Sequence, residues 1–296
     1  MSEVAYNQML KEKNRVAALS VFAAFLMTTF KIIVGIATGS LGILSEALHS
    51  GLDLLAAALT WFAVRVSDKP ADEDHHFGHG KIENLSAFIE TLLLLVTVGW
   101  VIYEAINRLL SGSTHIEVGI WSYIVVISSI IIDFTRSRAL MRVAKKHNSQ
   151  ALEADALHFA TDIWSSAVVL VGLICANLGI YIADSIAAIG VAIIIIAVSY
   201  KLGKRALNVL LDKVPSETVA QIRDLLKDDK SFETYHDLKV RASGSDIFVE
   251  LNIHLQANTS FVTSHEIASK IESKIKTVIP RSFVHVHVEP DKHTEE

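Results

Sequence analysis

The stretch Leu41–Val64, LGILSEALHSGLDLLAAALTWFAV, decides the fold. It carries two charges, Glu46 and Asp53, in an otherwise apolar run. A helix that crosses a bilayer needs about 20 mostly apolar residues, and this run supplies them. Similar runs lie on either side. Val16–Ala37 holds one charge, Lys31, and Leu85–Tyr103 holds one, Glu90. Gly119–Ile132, Ile163–Ala183 and Ser185–Tyr200 hold none, with Asp133 and Asp184 at their edges. The chain is therefore expected to be a polytopic α-helical membrane protein with six transmembrane helices between Val16 and Leu202. The first run is too long for the apolar core of a signal peptide.

Lys and Arg near the helix ends set the orientation. Lys11, Lys13 and Arg15 precede the first helix. Arg65, Lys69 and Lys81 lie between the second and third, and Arg136, Arg138, Arg142, Lys145 and Lys146 between the fourth and fifth. The other side offers Arg108. Both termini are expected on the cytoplasmic side, with the protein in the cytoplasmic (inner) membrane.

Beyond Leu202 the pattern changes. Val219, Ile222, Leu225 and Leu226 have helical spacing within Ser216–Asp229. Asp237–Arg241 and Ile247–Leu255 read as strands. Thr263 and Glu266 suggest a capping box ahead of a helix that Pro280 closes. Phe283–Val288 alternates as a strand, placing His285 and His287 on one side. The expected division is a membrane domain over 1–203 and a cytoplasmic α+β domain over 204–296 (αββαβ, ferredoxin-like or metallochaperone-like).

The chemistry sits in two of the membrane runs. His49 and Asp53 share a helix face at i, i+4, and so do His158 and Asp162. Two such faces opposed give two imidazoles and two carboxylates around one point, a set suited to a zinc-like ion. A charged residue at mid-membrane costs about 2.5–3.5 kcal/mol on insertion scales, so a chain that carries one twice, each beside a histidine, is using it. Glu46 lies one turn before His49, as an outer partner of that site or a residue near the membrane surface. Lys31, Glu90 and Asp184 read as snorkelling or interhelically paired charges.

Composition narrows the classes. With 296 residues, 51% hydrophobic, the chain is neither disordered nor collagen-like. A net charge of −5 gives nucleic-acid binding no electrostatic support. One cysteine, Cys175, excludes an intramolecular disulfide and Cys-rich zinc fingers. An intramembrane metalloprotease needs H-E-x-x-H, but His265-Glu266 is followed by Ser269 in the tail. No enzyme class is supported, and no cofactor is expected to be required.

Three motifs carry a resemblance. Ser45-Glu46-Ala47-Leu48-His49-Ser50-Gly51-Leu52-Asp53, His76-Phe77-Gly78-His79-Gly80-Lys81, and Ala154-Asp155-Ala156-Leu157-His158 continuing to Asp162 resemble, in order, signatures of the cation diffusion facilitator family. The resemblance covers nearly the whole chain. It implies a homodimeric exporter exchanging divalent metal for protons, with the transport site at His49, Asp53, His158 and Asp162. It also implies a zinc-type member, since manganese-type members tend to have Asp in place of both histidines.

The resemblance further implies a loop site at Asp72, His75 and His79. Glu73, Asp74 and His76 crowd the same loop, and the alternative is an acidic segment that concentrates cations. The resemblance also implies an ion pair between Lys81 and Asp212 that would couple membrane helices to tail, and a regulatory, dimerising role for the tail domain. In the tail, His236, His265, His287 and Glu289 match metal-binding positions of relatives, with Zn²⁺ as a regulatory ion, and His254 and His285 are additional candidates. A further histidine of those relatives falls on Asn252, a poor zinc ligand, and His254 would replace it only with a different strand register.

Metal ligands must be deprotonated, so loading metal expels protons and protonation expels metal. The unperturbed imidazole titrates near neutral pH. The expected function is Zn²⁺ efflux by metal/proton antiport with alternating access. A four-ligand site disfavours Mg²⁺ and Ca²⁺. The alternatives are the same fold exporting mainly Fe²⁺, Mn²⁺, Co²⁺ or Cd²⁺, or a non-transporting membrane metal sensor.

Overall fold

The computed structural model describes residues 3–39, 41–111, 120–177 and 182–291. Asn7–Leu207 is one compact unit, and Asn208–Glu296 is the body of a second.

The first unit is built of six long helices: α1 (Glu3–Thr38), α2 (Leu41–Ser67), α3 (Lys81–Ser111), α4 (Ile120–His147), α5 (Gln150–Asn177) and α6 (Ile182–Leu210). Among the described residues three spans are long and apolar enough to cross a membrane: Tyr6–Thr38, Glu46–Ser67 and Lys81–Asn107. The other three helices each abut a stretch outside the description. Helix α1 starts well before its apolar run because residues 3–15 hold no glycine or proline, so nothing in the sequence stops the helix. Helix α4 likewise runs past its apolar part, which makes Arg136 helical and buried rather than part of a connection.

Helices α4 and α5 form a tight hairpin. Asn148 takes a left-handed conformation (φ 52°) at the end of α4, a role Asn tolerates. Ser149 Oγ then accepts from the Leu152 N–H at 3.4 Å and starts α5. Gly203 of α6 packs against the Thr91 side chain of α3. A Cβ on Gly203 would stand 2.9 Å from Thr91 Cγ2, so this contact requires glycine. The interior is built largely from small residues, Ala17, Ala24, Ala57, Ala144, Ala151 and Ala156, around Leu152 and Phe159. Large apolar side chains such as Phe22, Leu55, Phe62, Trp100 and Trp164 face outward, as expected where lipid is the solvent.

The second unit holds α7 (Ser216–Lys227), β1 (Thr234–Ser243), β2 (Asp246–Leu255), α8 (Phe261–Val278) and β3 (Ser282–Pro290). The sheet order is β1-β2-β3, with β1 antiparallel and β3 parallel to β2. Alternation along β2 sends Val249, Leu251, Ile253 and Leu255 into a core with Ile222 and Leu226 of α7 and Ile271 and Ile275 of α8. The opposite face carries His236, His254, His285 and His287. Strand β1 begins earlier than its apolar pattern suggests. Asp237 (φ 51°) lies at a bulge between His236 and Lys239, which interrupts the alternation that marks a strand. The cap of α8 is Ser260 rather than Thr263, with Ser260 Oγ accepting from the Thr263 N–H at 3.2 Å.

Candidate metal centre

Helices α2 and α5 bring the four predicted residues together. The side chain of His158 is 3% exposed, and those of Asp53 and Asp162 are 12% and 13% exposed. His158 Nε2 stands 3.1 Å from Asp53 Oδ1 and 3.5 Å from Asp162 Oδ2. His49 Nε2 stands 3.9 Å from Asp53 Oδ1 and 3.8 Å from Asp162 Oδ1. Each histidine thus faces the carboxylate of its own helix and that of the other. Ligand atoms of His49, Asp53 and Asp162 lie within 4.8 Å of one another. They open on a cavity of about 580 Å³, also lined by Lys31, Glu46 and Asp133.

The surroundings fix this arrangement. Lys31 Nζ on α1 donates to Ser50 Oγ at 2.8 Å and to Glu46 Oε2 at 3.1 Å, so Lys31 is interhelically paired and Glu46 is its partner. Thr28 Oγ1 donates to the Ser50 carbonyl at 2.8 Å, tying α1 to the turn that carries His49. Phe159 closes edge-on over the His158 ring. Its own ring is covered by the Arg136 guanidinium at 3.5 Å from the centroid. Sequence reasoning left Asp133 at a helix edge and Arg136 in a connection; Asp133 instead lines the cavity. Its signal was a carboxylate and an arginine three residues apart, a helical spacing. The side chain of Asp184 is outside the described residues.

Between α2 and α3 the loop brings Asp72, His75 and His79 together. His75 Nδ1 is 3.1 Å and His79 Nε2 3.4 Å from Asp72 oxygens, and the two rings lie 4.3 Å apart. Slight desolvation works against the Asp72 carboxylate. Hydrogen bonds from the His75 and Asp74 backbone and the His75 ring outweigh it and hold the carboxyl below its usual range. Glu73, Asp74 and His76 are exposed outside this group. Lys81 opens α3, and Asp212 (φ 54°) follows α6 in the other unit.

In the tail the ligand atoms that converge belong to His236, His254 and Glu289. Glu289 Oε2 lies 3.6 Å from His236 Nε2 and 3.9 Å from His254 Nε2. His287 Nε2 is 3.8 Å from Glu289 Oε1, and Asn252 Nδ2 donates to that oxygen at 2.9 Å. His265 is exposed on α8, outside the converging group, and His285 is exposed opposite Glu250. One expectation is corrected. His254 needs no altered register. Asn252 pairs with His236 and His287, and His254, two residues on, pairs with Glu289 on the same face.

Two family models divide the chain. The cation efflux transmembrane domain matches residues 17–211, and the cation efflux protein cytoplasmic domain matches residues 214–291. The chain belongs to the cation diffusion facilitator family. An uncharacterized transporter of Methanocaldococcus jannaschii is 32% identical over 283 residues, which cover 94% of this chain and 99% of that one. The magnetosome protein MamB of a Magnetospira species is 32% identical over 265 residues, covering 89% and 90%. The cation-efflux pump FieF of Citrobacter koseri is 31% identical over 280 residues, covering 94% and 92%. As a facilitator the chain is an integral membrane protein of a cation efflux transporter family, not an enzyme family. It carries that family's cytoplasmic dimerisation domain.

Proposed function

We propose that this facilitator exports Zn²⁺ from the cytoplasm in exchange for protons, by alternating access across the cytoplasmic membrane. The observation that carries the reading is the enclosed set of two imidazoles and two carboxylates, His49, Asp53, His158 and Asp162, on two facing helices. Four N and O donors match the tetrahedral preference of zinc. Mg²⁺ and Ca²⁺ want six or more oxygens. An imidazole must be neutral to take the ion, so binding and protonation exclude each other at the same nitrogen. This competition is the coupling of an antiporter.

The remaining sites complete the proposal. All six long helices cross the membrane, both termini are cytoplasmic, and the functional unit is a homodimer. The loop group Asp72, His75 and His79 holds an ion near the cytoplasmic mouth. His236, His254 and Glu289 hold a regulatory zinc in the tail, with His287 beside them.

The test is flux into liposomes with an internal zinc dye and an imposed pH gradient. Zinc flux that follows the gradient and disappears in Asp162→Ala is the expected result. Flux of Fe²⁺ or Mn²⁺ without zinc would replace the cargo. Zinc bound by the tail with no flux of any ion would make the protein a sensor.

A further inference from the structure

Helix α1 contributes none of the four donors, yet it grips the turn of α2 that carries one of them. Thr28, Lys31 and Gly35 follow one another at spacings of three and four residues, on one face of α1. Lys31 is buried, and its Nζ donates to Ser50 Oγ at 2.8 Å and to Glu46 Oε2 at 3.1 Å. Thr28 Oγ1 donates to the Ser50 carbonyl at 2.8 Å. One turn further along α1, a Cβ on Gly35 would stand 2.8 Å from Leu44 Cδ2 and 3.2 Å from the Leu44 backbone nitrogen, which leaves no room for a side chain. The held segment of α2, Leu44 to Ser50, includes His49.

The two imidazoles are secured differently. His158 is enclosed, stands 3.1 Å from Asp53 Oδ1 and packs edge-on against Phe159. The side chain of His49 is 31% exposed, and its contacts with Asp53 and Asp162, at 3.9 and 3.8 Å, are longer than hydrogen bonds. The position of the His49 ring therefore depends on where the α2 backbone beneath it is held. Successive helical residues turn by about 100°, so Ser50 can face α1 while its neighbour His49 faces the cavity. Lys31 lines that same cavity, with its charge balanced by Glu46.

We propose that Lys31 is a positioning residue of the transport site. Through Ser50 it sets the His49 imidazole over the two carboxylates, and so makes the site favour zinc. The inference rests on the transport-site reading. It adds that a helix without a ligand places one of the donors.

The test is a cycle of variants of the full-length protein in liposomes loaded with a metal-responsive dye. The readouts are the KM for zinc and the ratio of zinc to manganese flux. Lys31→Met should raise the zinc KM at least ~10-fold, the lower end of the loss for residues that orient metal ligands. A role as a charge alone predicts the opposite, because removing a cation beside the site should tighten cation binding. Manganese, which carboxylate oxygens suit, should lose less than zinc, whereas general damage to the fold would lower both fluxes alike. Ser50→Ala keeps both charges and should move KM in the same direction, so it carries the test if Lys31→Met misfolds. In a His49→Ala background Lys31→Met should add no further loss, because Lys31 acts through that imidazole. An equal loss with and without His49 would overturn the inference. So would a zinc KM at or below the parent value in either Lys31→Met or Ser50→Ala. A His49→Ala protein with the parent zinc KM would overturn the transport-site reading as well.

Discussion

His158 Nε2 and Asp53 Oδ1 are 3.1 Å apart although 105 residues separate them in the chain. The contact joins the metal-suited face of α2 to that of α5. Each helix brings one acid and one imidazole, and neither pair alone surrounds a point. The spacing of the donors is therefore set by how α2 and α5 pack. Small residues such as Ala57 and Ala156 set that packing.

Replacing both imidazoles by carboxylates tests the donor chemistry. Imidazole suits zinc, and carboxylate oxygens suit manganese. His49→Asp combined with His158→Asp should lower zinc flux at least ~10-fold, since even outer partners of metal ligands cost about 10–100-fold when lost. Manganese flux should rise relative to zinc. Parallel liposome assays with both ions measure the ratio. An unchanged ratio would mean that these histidines do not choose the cargo.

Much of this was legible in the chain. The repeated H-x-x-x-D spacing named the four membrane residues because a helix converts i, i+4 into a shared face. The tail elements were legible because their periods are regular. What escaped did so for physical reasons. Asp133 and Arg136 sit at the end of an apolar run, where charge reads as the start of a loop, yet α4 continues and buries both. Glu90 and Lys31 look alike as single charges in apolar runs, but Lys31 has a carboxylate partner and Glu90 has hydroxyls. No local pattern encodes that difference. His254 was discounted by position, whereas the sheet places it against Glu289 in its ordinary register.

Lys13 is fully enclosed and donates to Glu83 Oε1 at 2.6 Å and to Asp68 Oδ1 at 2.7 Å. Ser67 and Ser149 also donate to Glu83. The cluster joins α1, the end of α2, the start of α3 and the α4–α5 hairpin. Removing one partner of a buried pair leaves a bare charge, at a cost of about 3–5 kcal/mol. Lys13→Met should sharply lower the thermal unfolding midpoint in detergent. Adding Glu83→Gln should recover part of the loss. A Lys13→Met protein as stable as the parent would show that the cluster tolerates an unpaired acid.

Asp229 makes a pH prediction for the tail. Partial desolvation raises its carboxyl, but the Lys274 ammonium at 2.5 Å and the Ser231 hydroxyl and N–H outweigh this and bring it down to about 2. An unfolded Asp titrates near ~3.9. Because the folded value is the lower, the stabilisation is complete above the unfolded value and is lost as pH falls toward 2. Between those limits the parent's tail should lose stability faster than that of Asp229→Asn, while at neutral pH the variant should be the less stable. Tryptophan is absent from the tail, so circular dichroism of the tail's unfolding is the readout. Parallel pH profiles would remove Asp229 from the account.

The tail centre yields a prediction that separates His254 from His265. Glu289 gathers His236 and His254 around one oxygen, while His265 is exposed on α8. Asp53→Ala with Asp162→Ala provides a background in which the membrane site is disabled. In it, His254→Ala should weaken zinc binding by at least ~10-fold, the lower end of the loss seen even for residues that only orient ligands. His265→Ala should leave zinc binding to a single chain near the parent value. Asn252→His should strengthen binding, because position 252 lies between His236 and His287 and its side chain already reaches Glu289. Protons compete with zinc for the imidazole nitrogens, so affinity should fall as the pH is lowered. Equilibrium titration against a chelating dye at several pH values measures all of this. Loss with His265→Ala and none with His254→Ala would mean that zinc is held by residues this sheet face does not gather.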